Sequence, residues 1–174
     1  MARTKYGYAE TTDLRATVAG PIRSVVNTDM ALENGMLMKI GALTAGSNEV
    51  YEAALPTAKD KVVLIHSALY AYDTSSTLGQ HEMYLRKEAG EPARAFYLYE
   101  GDRNSWADYT IKPLADKVVV GNRVVVDTAT GFLTEIAAED EIAGYGFVGE
   151  IETIEYKSNL TMVCIRVIKN ETVA

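Results

Sequence analysis

Gly144, Gly146 and Gly149 stand in the stretch GYGFVG at the spacing G-x-G-x-x-G. In a nucleotide-binding loop that spacing lets main-chain N–H groups close on a phosphate. The dinucleotide form needs a buried strand before the first glycine and a helix opening at the last. Here the acidic AAEDEIA precedes the glycines and the β-branched EIETIEY comes after them, so no helix N-terminus is on offer. The kinase form does sit on a β-hairpin, but the strand lysine, the H-R-D loop and the D-F-G triplet are missing. The expectation is that the three glycines lie within sheet. There they would mark a bulge or a close main-chain approach, with Tyr145 and Phe147 covering them.

The other reactive side chains fare no better. His81-Glu82 is half of a zinc-protease motif, and Leu85 stands where the second His is needed. His66 falls in an apolar run and reads as a hydrogen-bonded core residue. Asp102 and Asn104 have calcium-loop spacing, but Ala107 and Pro113 occupy the places of the required Gly and Glu, so DRNSW reads as a polar turn. Ser75, Ser76 and Thr77 read as helix-capping residues, with no G-x-S-x-G elbow near them. Glu139, Asp140 and Glu141 read as a solvated loop. Cys164 is the only cysteine, which excludes an intrachain disulfide and a multi-Cys zinc site. No nucleophile, base and orienting partner assemble, so the sequence predicts no catalytic residue, no cofactor and no metal site.

The elements that would carry these residues are mostly strands. Residues 1 to 20 are polar, lack a clear period and end in Gly20-Pro21, which predicts an extended N-terminal arm ordered only if something holds it down. Tyr6 and Tyr8, two apart, would aim their rings to one side of such an arm. Strands are expected at Val25-Val26, 36–43, 49–55, the start of 61–72, and 93–101, with a turn at Asn34-Gly35. KVVVGNRVVVD, 117–127, breaks two Val runs at Gly121-Asn122, the composition of a two-residue hairpin. TATG, FLTEI, GFVGEIETIEY, a turn at KSN and LTMVCIRVIKN complete the β pattern. One helix is expected over 75–90, capped by Ser75 or Ser76 and stopped by Gly90 and Pro92. The fold class is therefore mainly β: a compact β-barrel or β-sandwich-like domain over 21–174, with one or two short helices, behind the arm of 1–20.

Composition narrows the partners. A chain of 174 residues supports one core without disulfides or metals. The net charge of -7 and pI near 4.9 oppose non-specific binding to nucleic acid or an anionic membrane. No apolar run reaches the length of a membrane span, and the first residues lack the apolar core of a secretory signal, so synthesis in the cytoplasm is the expectation. Tyr outnumbers Phe by 11 to 3. Tyr suits interfaces that form after folding, and it suits half-buried strands equally well.

Several stretches together resemble a family of head decoration proteins from tailed bacteriophages of Gram-positive hosts. They are ENGMLMKIGALTAGSNEVYEAALPT (33–57), VVLIHSALYAYDT (62–74), EAGEPARAFYLYEGD (88–102), VGNRVVVD (120–127) and the strand beginning FVGEI. The likeness spans roughly residues 25–168 and is a pattern of structural residues without a chemical signature. It implies a more apolar strand start after Gly101-Asp102 than Arg103-Asn104-Ser105-Trp106 provides. The function it implies is non-enzymatic: a virion protein that binds the major capsid protein on the outer face of the expanded head and stabilises the shell. Self-association there, as a homo-oligomer, is left open. No nucleic-acid or membrane partner is expected. Arg3, Lys5, Tyr6, Tyr8 and Arg15 are the candidate contact residues, chosen from the chemistry of the arm. Another virion part, a tail-tube or head-fibre component, and a small nucleotide-dependent enzyme remain the alternatives.

Overall fold

A computed structural model describes residues 4–68, 82–84, 86–157 and 160–174. In chain order the elements are β1 (Ala9–Asp13), α1 (Arg15–Val18), β2 (Ile22–Val26), β3 (Leu37–Leu43), β4 (Val50–Ala54), β5 (Val63–Ile65), β6 (Ala93–Tyr97), β7 (Arg103–Ala107), β8 (Ile111–Lys112), β9 (Arg123–Val126), β10 (Leu133–Ile136), β11 (Phe147–Lys157) and β12 (Leu160–Asn170). Strands make up 44% of the chain and helices 6%, so the protein is mainly β.

Five strands close a barrel in the order β2-β4-β3-β5-β6, with β2 parallel to β4 and antiparallel to β6. The other seven form a sheet in the order β1-β7-β12-β11-β9-β10-β8. Why the barrel strands read as continuous apolar runs is visible in their alternation. Met38, Val63, Ile65 and Ala95 point into the barrel core. Their neighbours Leu37, Leu64 and Phe96 point the other way, into a core shared with Trp106, Val124, Ile151 and Ile165 of the second sheet. Side chains on a strand alternate between faces, so a strand buried on both carries no polar beat. Burying a side chain such as Leu64, fully shielded here, contributes roughly 1.5–3 kcal/mol.

Polar clamps fix the two sheets to each other. Asn170, at the end of β12, accepts the Val62 N–H at 2.9 Å and donates to the carbonyls of Val62 and Leu98. The turn between β9 and β10 is built on Asp127 and lends the Gly131 carbonyl to the Leu37 N–H at 2.7 Å. At Asn34-Gly35 the glycine takes a positive φ of 94°, and its carbonyl accepts the Trp106 indole N–H at 2.9 Å. Only glycine adopts that backbone without strain.

Four expectations change. The helix predicted over 75–90 has its first part outside the described residues. From 82 onward the chain makes one 3-10 turn, Glu82–Tyr84, and then an extended bridge between Lys87 and Leu32. The Gly121-Asn122 hairpin does not form: only 123–126 is a strand, and it pairs with β10 and β11. The reason is the buried Glu135, whose carboxylate gathers the preceding loop. DRNSW is no polar turn after Gly101-Asp102. Residues 103–107 form β7 inside the larger sheet, with Asn104 and Trp106 buried, and the Asn104 amide has no hydrogen-bond partner among the described residues. Finally, the extended N-terminal segment is held by the chain itself. β1 pairs antiparallel with β7, and Ala9, Leu14 and Ala16 join the shared core.

Candidate functional site

The glycine stretch is the first candidate, and its main chain is already engaged. The Gly146 N–H donates to the Ala58 carbonyl at 2.7 Å, and the Gly146 carbonyl accepts the Glu171 N–H at 2.9 Å. A Cβ at 146 would collide with the main chain of Lys59 and Asp60, and one at 149 with the side chains of Ile165 and Val124. Gly149 lies within β11 as expected, whereas Gly144 and Gly146 precede the strand in a turn and a bend. Space is open around Gly144. Phe147 is buried and Tyr145 half-buried over the stretch. The chain runs on from Gly149 as strand, so no helix dipole faces a phosphate here.

The buried ionisable groups each serve a local structure. Asp60 accepts the Lys39 ammonium at 2.7 Å and the Thr57 N–H and hydroxyl at 2.8 Å. The lysine contact holds its carboxyl below the usual range, against the opposing effect of burial. Asp102 accepts the N–H groups of Tyr99 and Arg15, making a turn cap rather than a calcium loop. His66 packs edge-on against Phe96 with Nε2 3.6 Å from Glu82. Burial pushes its pKa down, and Glu82 partly offsets this. Burial likewise pushes the Cys164 thiol up, away from the thiolate a nucleophile needs. Among the described residues, no group of three His, Cys, Asp or Glu is placed to hold a metal ion. His81 and residues 75–77 lie outside them.

A groove of about 810 Å³ offers a surface instead. Residues 5–7 and Tyr109 border it, Phe132 lines it, and Ile154 and Tyr156 come from β11. Lysines and carboxylates alternate around it, Lys5, Lys112 and Lys117 among Glu33, Asp108, Asp116 and Asp127, giving no single sign of charge. The Tyr109 hydroxyl donates to the Tyr6 carbonyl at 3.0 Å, and burial pushes its pKa up to about 12. It therefore stays protonated near neutrality.

Beside the groove the chain exposes apolar side chains on firmly held backbone. Glu135 is 1% exposed, and its carboxylate accepts the N–H groups of Leu114 and Val119 at 2.9 Å and the Asn122 amide at 2.8 Å. These bonds gather residues 114–122 into a loop. Leu114 (58% exposed), Val119 and Val120 (52% each) project from it, and Tyr156 (86%) projects from β11. Sequence reasoning misses these four: the Val run reads as a strand, and a strand reading hides outward-facing apolar residues. The acidic residue in FLTEI is the one available signal.

The predicted contact residues have internal partners. The Lys5 ammonium lies 5.5 Å from the Tyr109 ring, and the Arg86 guanidinium 4.8 Å from the Tyr6 ring. Tyr8 packs half-buried against Met83, Ala107, Leu160 and Met162. Arg15 stacks 5.2 Å from the Tyr99 ring. Arg3 lies outside the described residues. Lys5 and Tyr6 border the groove; Tyr8 and Arg15 do not.

No family model, no curated protein and no solved structure matches this chain. Among the described residues no helix is long and apolar enough to cross a membrane.

Proposed function

We propose that this chain is a non-enzymatic structural protein of a tailed-phage virion. It binds the outer surface of the major capsid protein lattice and stabilises the expanded head. The observation that carries this reading is the set of exposed apolar side chains, Leu114, Val119, Val120 and Tyr156, on a backbone pinned by Glu135 and the β11–β12 hairpin. Apolar groups held rigidly in water cost little further ordering entropy on binding, which favours association with a protein surface. The resemblance of residues 25–168 to head decoration proteins supplies the identity of that surface. A net charge of -7 fits a subunit that sits outside the shell and has no affinity for the DNA within.

The test is co-sedimentation of the purified chain with expanded heads that lack their own decoration protein. Saturable binding to expanded heads, weaker on unexpanded ones, is expected. Binding no greater than that of an unrelated acidic protein of equal size removes the proposal.

A further inference from the structure

The β11–β12 hairpin leaves one edge of β11 open. Toward β9, β11 is paired only at Gly149 and Glu150, and Ile151 exchanges main-chain bonds with Gly121 and Asn122. Beyond Ile151, β11 continues to Lys157, paired on its other side with β12. Along that second half, alternate N–H and C=O groups face away from β12 with no main-chain partner among the described residues. An open edge of this length is a template for another strand.

We infer that this edge pairs with the same edge of a second copy of the chain, forming a two-fold symmetric dimer through antiparallel β11 strands. The charges choose both the occupant and the register. With Tyr156 on the two-fold axis, Glu155 of each copy lies opposite Lys157 of the other, so two opposite-charge pairs flank one Tyr–Tyr pair. Centring on Glu155 instead would set the two Glu155 carboxylates against each other. Centring on Ile154 would put Lys157 against Ile151, whose edge is already used. Opposite charges and aromatic rings directly across an antiparallel pair are favourable, and like charges are not. A symmetric interface must be complementary to itself, and the sequence Glu-Tyr-Lys read against its own reverse meets that condition.

The side chains are free to do this. Tyr156 is 86% exposed, and the Glu155 and Lys157 side chains are 54% and 48% exposed. Lys157 reaches Glu10 at 2.9 Å, while Glu155 lies 3.7 Å from the same lysine and has room for a second cation. Val119 and Val120 precede the Gly121-Asn122 main chain that bonds Ile151, so their exposed side chains lie next to the point where an added strand would begin. The dimer does not require the virion reading, and its test is independent of capsid shells.

The experiment is sedimentation equilibrium of the full chain, with circular dichroism as the check on folding. A dimer with a two-fold axis is expected. Glu155→Lys, which sets Lys against Lys twice, should weaken it by roughly tenfold or more. The Glu155→Lys, Lys157→Glu double variant should recover most of that loss. Tyr156→Cys should cross-link to itself under mild oxidation, while Val18→Cys, equally exposed elsewhere, should not. A chain that is monomeric at high concentration overturns the inference. So does a dimer indifferent to Glu155→Lys that fails to cross-link through position 156.

Discussion

At Gly146 the question raised by the glycine spacing becomes a measurement. A methyl group there meets the main chain of Lys59 and Asp60, whereas one at Gly144 meets open space. Gly146→Ala should therefore cost about 3 kcal/mol in urea unfolding, and Gly144→Ala should change stability little. A phosphate-binding loop would give a different result, with both substitutions altering nucleotide affinity and neither greatly altering stability. His66 gives a second test at this scale. Burial holds its folded pKa below the 6.5 of the unfolded chain, so the unfolded state binds the proton more readily. Stability from this site is full above that value and is lost as pH falls through 6.5 toward the folded pKa. The melting temperature should decline as the pH is lowered from neutrality through that window, and His66→Gln should remove part of the decline. An unchanged pH profile in the variant would show that the imidazole is not held neutral by its surroundings.

Glu135 organises an element rather than a point. Its carboxylate takes three donors from the loop that ends at Asn122. Glu135→Gln turns an amide NH2 toward groups that are themselves donors, leaving buried N–H groups unpaired at a cost of about 2–4 kcal/mol. Hydrogen exchange at Leu114 and Val119 should quicken together, ahead of exchange in β12. If only one accelerates, the loop is not a unit built on this carboxylate. The same carboxylate explains where the strand pattern misleads. KVVVGNRVVVD has the composition of a hairpin, and nothing local to it reveals that a residue 13 positions beyond Asn122 will claim its amides. Elements whose signal is local are legible: β3, β4, β6, the Asp127 turn and the β11–β12 hairpin all fall where alternation and turn residues put them. β7 is hidden because Arg103-Asn104-Ser105 is polar, although Asn104 and Trp106 point into the core. The exposed Leu114, Val119 and Val120 are hidden for the converse reason, since an apolar residue reads as buried by default.

For the molecule as a whole, two β layers share one core. Leu37, Leu64 and Phe96 of the barrel face Trp106, Ile151 and Ile165 of the open sheet. The pair is further tied by Asn170. Such a body presents its loops and hairpin as fixed features, which is what a shell-binding subunit requires. Its acidity predicts that binding rests on apolar contact and survives moderate salt. Heads carrying the chain should withstand heating that opens bare heads, and Tyr156→Ser combined with Val119→Ser should abolish that protection in a chain that stays folded.

Electron cryomicroscopy of expanded heads incubated with the chain tests the binding reading most directly. Density matching a two-layer β body on the outer surface of the lattice, repeated at symmetry-equivalent positions, is the predicted result. Bare outer surfaces at saturating chain, or density confined to the interior or the tail, would contradict it.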